Sequence, residues 1–172
     1  MQSELTQDTL KTVLRYDQET GQFFWISGTC KNKMAGNLEG NGYVRINFGG
    51  KKYQAHRLAW LYMTGMWPTD MIDHVDGVRS NNRWSNLRPA NRVENMRNSR
   101  RYSTNTSGYK GVSKMRNTTS KQWVAQCRVN KKSVCLGFFK TAEEAAAAYN
   151  TFAAETFGPY FRGNTIEDRV GV

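Results

Sequence analysis

Membrane-length apolar runs, paired cysteines, histidines and acidic residues are all scarce in this 172-residue sequence. The longest apolar stretch runs from Leu58 to Pro68 and is interrupted by Thr64 and Gly65. A membrane span requires roughly 18 uncharged apolar residues, so none is expected. The opening residues, MQSELTQDTL, hold two acids, no basic start and no apolar centre, and no signal peptide is expected there. Cys30, Cys127 and Cys135 are odd in number and form no C-x-x-C pair, which argues against a disulfide framework or a cysteine zinc site. The shortage of acids leaves 14 Asp and Glu against 25 Lys and Arg, a net charge of +11. These absences leave a soluble, intracellular protein that binds polyanions.

What is present is aromatic and basic. A hydrophobic share of 38% with five Trp, eight Tyr and eight Phe supplies compact cores, and the length allows one full domain or two small ones. The charge is concentrated. From Arg79 to Lys132 there are 14 Lys or Arg and one acid, Glu94, so these 54 residues carry +13 and the remainder of the chain −2. A solvated face usually interleaves both signs. A block almost without acids attracts a phosphate backbone and releases its counterions, so nucleic acid is the expected partner, ahead of anionic membranes or acidic proteins.

Along the chain, a short helix is expected over Leu5 to Arg15, then strands over Gln22 to Ile26, Gly42 to Phe48 and Lys51 to Ala55, the last two joined by the Gly49-Gly50 turn. A buried helix follows over Leu58 to Thr64, ended by Gly65. Residues 69–98 hold two short extended pieces, an Asn-rich loop and a helix beginning near Pro89 or Asn91. The stretch NSRRYSTNTS reads as a linker. Beyond it come strands over Tyr109 to Lys114, Trp123 to Val129 and Ser133 to Phe139. A helix then starts at Thr141, with Glu144 completing a capping box, and stops at Gly158-Pro159.

His74 lies in Ile72-Asp73-His74-Val75-Asp76-Gly77, and Asn81, Asn82, Asn86, Asn91, Asn95 and Asn98 crowd the residues after it. Phosphodiester hydrolysis needs a base for the attacking water and a cation for the phosphate charge. An imidazole near its ordinary pKa suits the first task. Carboxylate and amide oxygens suit a hard cation, Mg²⁺ or Mn²⁺, for the second. Asn81 and Asn82 are expected as turn formers. His56 is expected to begin the buried helix or brace the core.

The run Asp73-His74-Val75-Asp76-Gly77, Asn81-Asn82, Ser85-Asn86-Leu87-Arg88 and Glu94-Asn95 resembles the HNH endonuclease motif, most closely that of the phage and intron-encoded homing type. The preceding Gly42-Tyr43-Val44-Arg45-Ile46 and Ala55-His56-Arg57-Leu58-Ala59-Trp60 are similar to the same subfamily. The resemblance implies a ββα-metal unit that holds one divalent cation, Mg²⁺ or Mn²⁺. It implies His74 as general base, Asp73 and Asn95 as metal ligands, and Asn86 as the residue that orders the loop and helps orient the histidine. Asn95 stands where many members have His, which makes this the HNN variant.

In the C-terminal part, Trp123, Ala125, Cys127 and Val129 alternate onto one strand face, expected to cover the alanine-rich helix. Val124, Gln126 and Arg128 are expected on the other. Tyr109-Lys110-Gly111-Val112, Trp123-Val124-Ala125, Leu136-Gly137-Phe138-Phe139, Thr141 to Ala146, Tyr149-Asn150 and Gly163-Asn164 resemble the plant ethylene-response-factor (Apetala-type) DNA-binding domain. Several positions that contact DNA in that family are Ser113, Met115, Ser133 and Cys135 here, so its recognition sequence does not transfer.

The expected fold is α+β. A strand-rich nuclease domain over residues 1–98 carries the ββα-metal core at about 69–98, residues 99–107 are a linker, and residues 108–172 are a three-stranded antiparallel sheet on one helix. The expected function is a metal-dependent endonuclease acting on double-stranded DNA, with Arg79, Arg88, Arg97, Lys110, Lys114, Arg116, Gln126, Arg128, Lys131 and Lys132 on the nucleic acid. It is expected to be a phage-encoded monomer in the cytoplasm of a bacterial host, with no membrane or obligate protein partner. The rival readings are a non-catalytic, sequence-specific DNA-binding regulator, a nuclease or binder of structured RNA, and a nonspecific nuclease.

Overall fold

Short polar turns and brief apolar runs give short elements throughout this computed structural model, which describes residues 5–98, 105–115 and 123–165. The chain divides into two compact units, Met1–Asn95 and Met96–Val172. No helix among the described residues is long and apolar enough to cross a membrane.

The first unit opens with α1 (Gln7–Val13), which is shorter than expected. The Thr6 hydroxyl caps it, and the backbone turns extended at Leu14. That early exit creates β1 (Leu14–Asp17), which pairs antiparallel with β2 (Gln22–Trp25); β3 (Met34–Ala35) adds to the other edge of β2. A second sheet joins β4 (Asn37–Leu38), β5 (Val44–Phe48) and β6 (Lys51–Gln54). Next comes α2 (Ala55–Thr64), which starts a full turn before the expected Leu58. Gln54 makes no side-chain cap, so the sequence carries no start signal there. Leu10, Leu14, Phe23, Ile46, Leu58 and Leu61 meet in one core from these elements. The hairpin β7 (Met71–His74) and β8 (Leu87–Ala90) follows, then α3 (Arg92–Asn98). Asn91 and Glu94 cap α3 reciprocally: the Asn91 side chain accepts the Val93 and Glu94 amides, and Glu94 accepts the Asn91 amide at 2.8 Å.

The second unit holds β9 (Val112–Lys114), β10 (Trp123–Val129) and β11 (Lys132–Phe139), with β10 central and both pairings antiparallel. The helix α4 (Ala142–Phe157) carries the capping box of Thr141 and Glu144. Ala142, Ala145 and Ala146 pack with Ala125, Val112 and Tyr109, so small side chains let helix and sheet approach closely. Gly111 adopts φ +71°, and a Cβ there would lie 2.2 Å from the Tyr149 ring. Glycine is required at that position by packing. Val124 is buried although the alternation places it outward with the exposed Gln126 and Arg128. Its cross-strand neighbours are Phe138 and Ser113, and the β10–β11 register slips between Ala125 and Gln126. The extra residue at the slip, Leu136, lies on β11, so β10 keeps its alternation and Val124 is covered on the face it shares with Gln126 and Arg128.

Candidate active site

Strand pairing in the β7–β8 hairpin sets Asp73 opposite Arg88 and His74 opposite Leu87. Asp73 and His74 are each 4% exposed. Arg88 donates from Nε at 2.9 Å and from Nη2 at 2.7 Å to Asp73 Oδ2. A buried carboxylate therefore has a half-buried guanidinium beside it, and Arg88, expected on DNA, is turned towards Asp73.

The loop between the two strands is stapled by asparagine. Asn86 donates Nδ2 to Asp76 Oδ1 at 3.0 Å and to the Asn81 carbonyl at 2.7 Å, and it accepts the Asp76 amide on Oδ1 at 3.0 Å. Asn81 donates to Asp76 Oδ2 at 2.6 Å. Burial alone would raise the Asp76 carboxyl, but hydrogen bonds from the Val78 amide, Asn81 and Asn86 outweigh it and leave the group below its ordinary value.

His74 donates a hydrogen bond to Asn82, which the sequence reading treats only as a turn former. Asn82 donates Nδ2 to the Ser80 carbonyl at 3.2 Å, which turns Oδ1 towards His74 Nε2 at 3.2 Å. An amide oxygen only accepts, so Nε2 carries the ring proton and Nδ1 carries the lone pair. Burial holds the His74 imidazole below its ordinary pKa, against the Asn82 hydrogen bond and the Asp76 and Asp73 charges, so the ring is neutral at pH 7.

Asn82 is itself held from the first hairpin. The Tyr16 hydroxyl donates to the Asn82 carbonyl at 2.6 Å, and the Trp84 amide donates to the Gln18 carbonyl at 3.0 Å. Burial, with the Asp17 charge beside it, raises the Tyr16 pKa, keeping that hydroxyl protonated. Gly21, at φ +74°, lets the β1–β2 turn lie flat on the loop; a Cβ would stand 2.4 Å from the Arg83 nitrogen and the Asn82 carbonyl carbon. Sixty-six residues separate Tyr16 from Asn82, a distance over which sequence spacing carries no signal.

The remaining expected residues fall in varied settings. Asn95 is half-buried on α3, its amide bonded to the Asn91 carbonyl at 3.0 Å. Arg79 lies 4.9 Å over the Tyr43 ring and donates to the Asn41 carbonyl at 2.9 Å. Arg97 sits 4.3 Å over the Phe157 ring, and Lys110 donates to the Arg97 carbonyl at 3.2 Å. Lys114, Gln126, Arg128, Lys131 and Lys132 are exposed, and Arg116 lies outside the described residues.

Comparison with known proteins bears on the same stretch. Residues 53–97 match the family described as HNH endonuclease. This HNH-like segment spans about a quarter of the chain. It contains His56, the hairpin with Asp73 and His74, Asn82, Asn86 and Asn95. The chain is also 33% identical over 129 residues to an uncharacterised HNH endonuclease of Acanthamoeba polyphaga mimivirus, covering 74% of this chain and 65% of the viral protein. A solved structure of the HNH homing endonuclease I-HmuI, described for DNA binding and cleavage, aligns at 28% identity over 50% of this chain and 51% of that one, with a TM-score of 0.41. The chain thus spans about two thirds of its viral relative.

The HNH segment offers oxygen donors of the kind a hard cation takes. Among the described residues no three His, Cys, Asp or Glu gather as a metal group, so an all-protein cage for a transition metal is not built. A carboxylate and an amide oxygen fit Mg²⁺ or Mn²⁺, ions that draw their other ligands from water and phosphate. A carboxylate has lone pairs on both oxygens, so Asp73 can accept Arg88 and still ligate.

Proposed function

We propose that this chain is a metal-dependent endonuclease that hydrolyses phosphodiester bonds of duplex DNA at a preferred site, of the homing or phage mobile-element kind. The observation that carries the reading is the fixed His74 ring inside the HNH segment. Its neutral Nδ1 takes a proton from the attacking water, while Asn82 holds Nε2–H and Asn86 keeps the loop in shape. Asp73 and Asn95 would hold the divalent cation, which when bound neutralises charge on the phosphate and the departing 3′ oxygen. Arg88 sets the Asp73 carboxylate.

The second unit selects the site. Its exposed Lys114, Gln126, Arg128, Lys131 and Lys132 present charge and hydrogen-bonding groups on or beside a sheet, the arrangement that its resemblance to the ethylene-response-factor domain implies. Arg79, Arg97, Lys110 and Arg116 add phosphate contacts.

The test is His74→Ala. Loss of a positioned base lowers cleavage by about a hundredfold or more, and the same variant binds the DNA as tightly as the wild type does. Cleavage and binding lost together would count against the base role. Metal-independent binding with no cutting by the wild type would support the regulator instead.

A further inference from the structure

On the sheet of the second unit, Trp123 and Phe139 pack with Ala145 and Ala146 of α4. The opposite face is built by pairing that sets Phe138 across from Val124, Cys135 from Gln126 and Ser133 from Arg128. Phe138 is out of place there. It is 49% exposed, and among the described residues of β9, β10 and β11 no other large apolar side chain stands so far in water. A single exposed apolar residue is ordinary on a surface, but the company of this one is not. Val124, Gln126 and Arg128 occupy every second position of β10, so apolar, amide and cationic groups stand in a row about 7 Å apart, roughly two base steps of a duplex. The Arg128 guanidinium is steadied by Nε, which donates to the Lys131 carbonyl at 3.3 Å. Ser113, Gln126, Arg128 and Ser133 line a hollow of about 300 Å³ on this face, and the exposed Lys114, Lys131 and Lys132 add the charge that fits a polyanion.

We propose that Phe138 is a specificity-determining residue: its ring covers the 5-methyl group of a thymine in the major groove while Gln126 meets a neighbouring base edge. Phosphate contacts position a protein on DNA and carry no sequence information. Of the four bases, thymine alone offers an apolar group in the major groove, and an aromatic ring is one of the side chains that reads it. A ring half in water beside an amide and a guanidinium gains by burying that methyl, and the cations around it bring the duplex within reach. The preferred site therefore holds a thymine at one fixed position.

This inference rests on the second unit selecting the site, and the experiment separates the two. Full-length protein, kept free of divalent cations so that no strand is cut, enriches binding sites from a randomised DNA duplex. The wild type is expected to enrich one site, and the Gln126→Ala, Arg128→Ala double variant to lose it. Each thymine of that site is then replaced in turn by deoxyuridine, which removes the methyl and keeps every hydrogen bond. One replacement is expected to weaken wild-type binding about fourfold, the effect of one buried methyl. Phe138→Ala is expected to bind the thymine duplex at least about fourfold more weakly and to be indifferent to the replacement. Wild-type affinity unmoved at every thymine overturns the proposal, whatever the variants do. So does a Phe138→Ala protein that keeps the full deoxyuridine loss, which would put the methyl against another residue. Should alanine not fold, Phe138→Gln decides by the same limits. No enrichment, or enrichment that survives the double variant, removes the second unit as selector and the proposal with it. Binding alone is read, so the result stands apart from whether His74 is the base.

Discussion

At the scale of single residues, the site depends on which atom of an amide faces which atom of an imidazole. Asn82 Oδ1 fixes the His74 tautomer because Nδ2 is committed to Ser80. Asn82→Ala is expected to slow cleavage by about ten- to a hundredfold with DNA binding unchanged, as measured by single-turnover rates beside binding titrations. His56 gives a prediction about stability. Its folded pKa of about 3 lies below the ordinary 6.5, so between those values the unfolded ring binds a proton that the folded ring refuses. The stability is fully present above pH 6.5 and is lost as pH falls towards 3, by up to about 1.4 kcal/mol per pH unit from this group. Urea unfolding at pH 7 and pH 5 should show His56→Phe losing less on acidification than the wild type. The four residues expected at the centre (Asp73, His74, Asn86 and Asn95) stand out in the sequence because their order along the chain resembles the HNH motif. Asn82 does not, since its role depends on an amide orientation set by a neighbouring carbonyl.

At the scale of elements, caps and close approaches decide what the sequence could reveal. The helix α4 ran from the expected start to the expected stop because Thr141 and Glu144 are a local signal that tertiary contacts did not override. Thr141→Ala should cost about 1 kcal/mol of stability by thermal or chemical melting. The start of α2 carried no cap, β1 was missed because its first residues fall inside the helix expected over Leu5 to Arg15, and β3 and β4 were missed because strands of two residues show no period. Asn164 illustrates a contact that reads as composition until the chain is folded. Its side chain accepts the Lys110 amide at 2.6 Å and donates to the Lys110 carbonyl at 3.1 Å, while Asn150 Oδ1 accepts the Asn164 amide at 2.8 Å. Gly21→Ala tests the brace on the loop. The left-handed backbone and the 2.4 Å approach to Asn82 and Arg83 together should cost at least about 2 kcal/mol. Cleavage should fall further than global unfolding explains, when measured well below the melting temperature.

Charge acts at the scale of the whole molecule. The basic block from Arg79 to Lys132 predicts DNA affinity that falls steeply with salt. Replacing Lys114, Arg128, Lys131 and Lys132 by alanine should reduce the slope of log affinity against log salt by about 0.9 for each phosphate contact removed. Fluorescence anisotropy across a salt series measures it, and an unchanged slope would place the phosphates elsewhere.

The brace from the first hairpin reaches beyond stability. The HNH segment begins at residue 53, yet Tyr16, Gln18 and Gly21, which hold its loop, come from a hairpin more than thirty positions upstream. The segment is therefore not a portable cassette. Grafted without residues 14–25 into a foreign scaffold, it would carry every letter of its motif and still present an imidazole with no fixed aim.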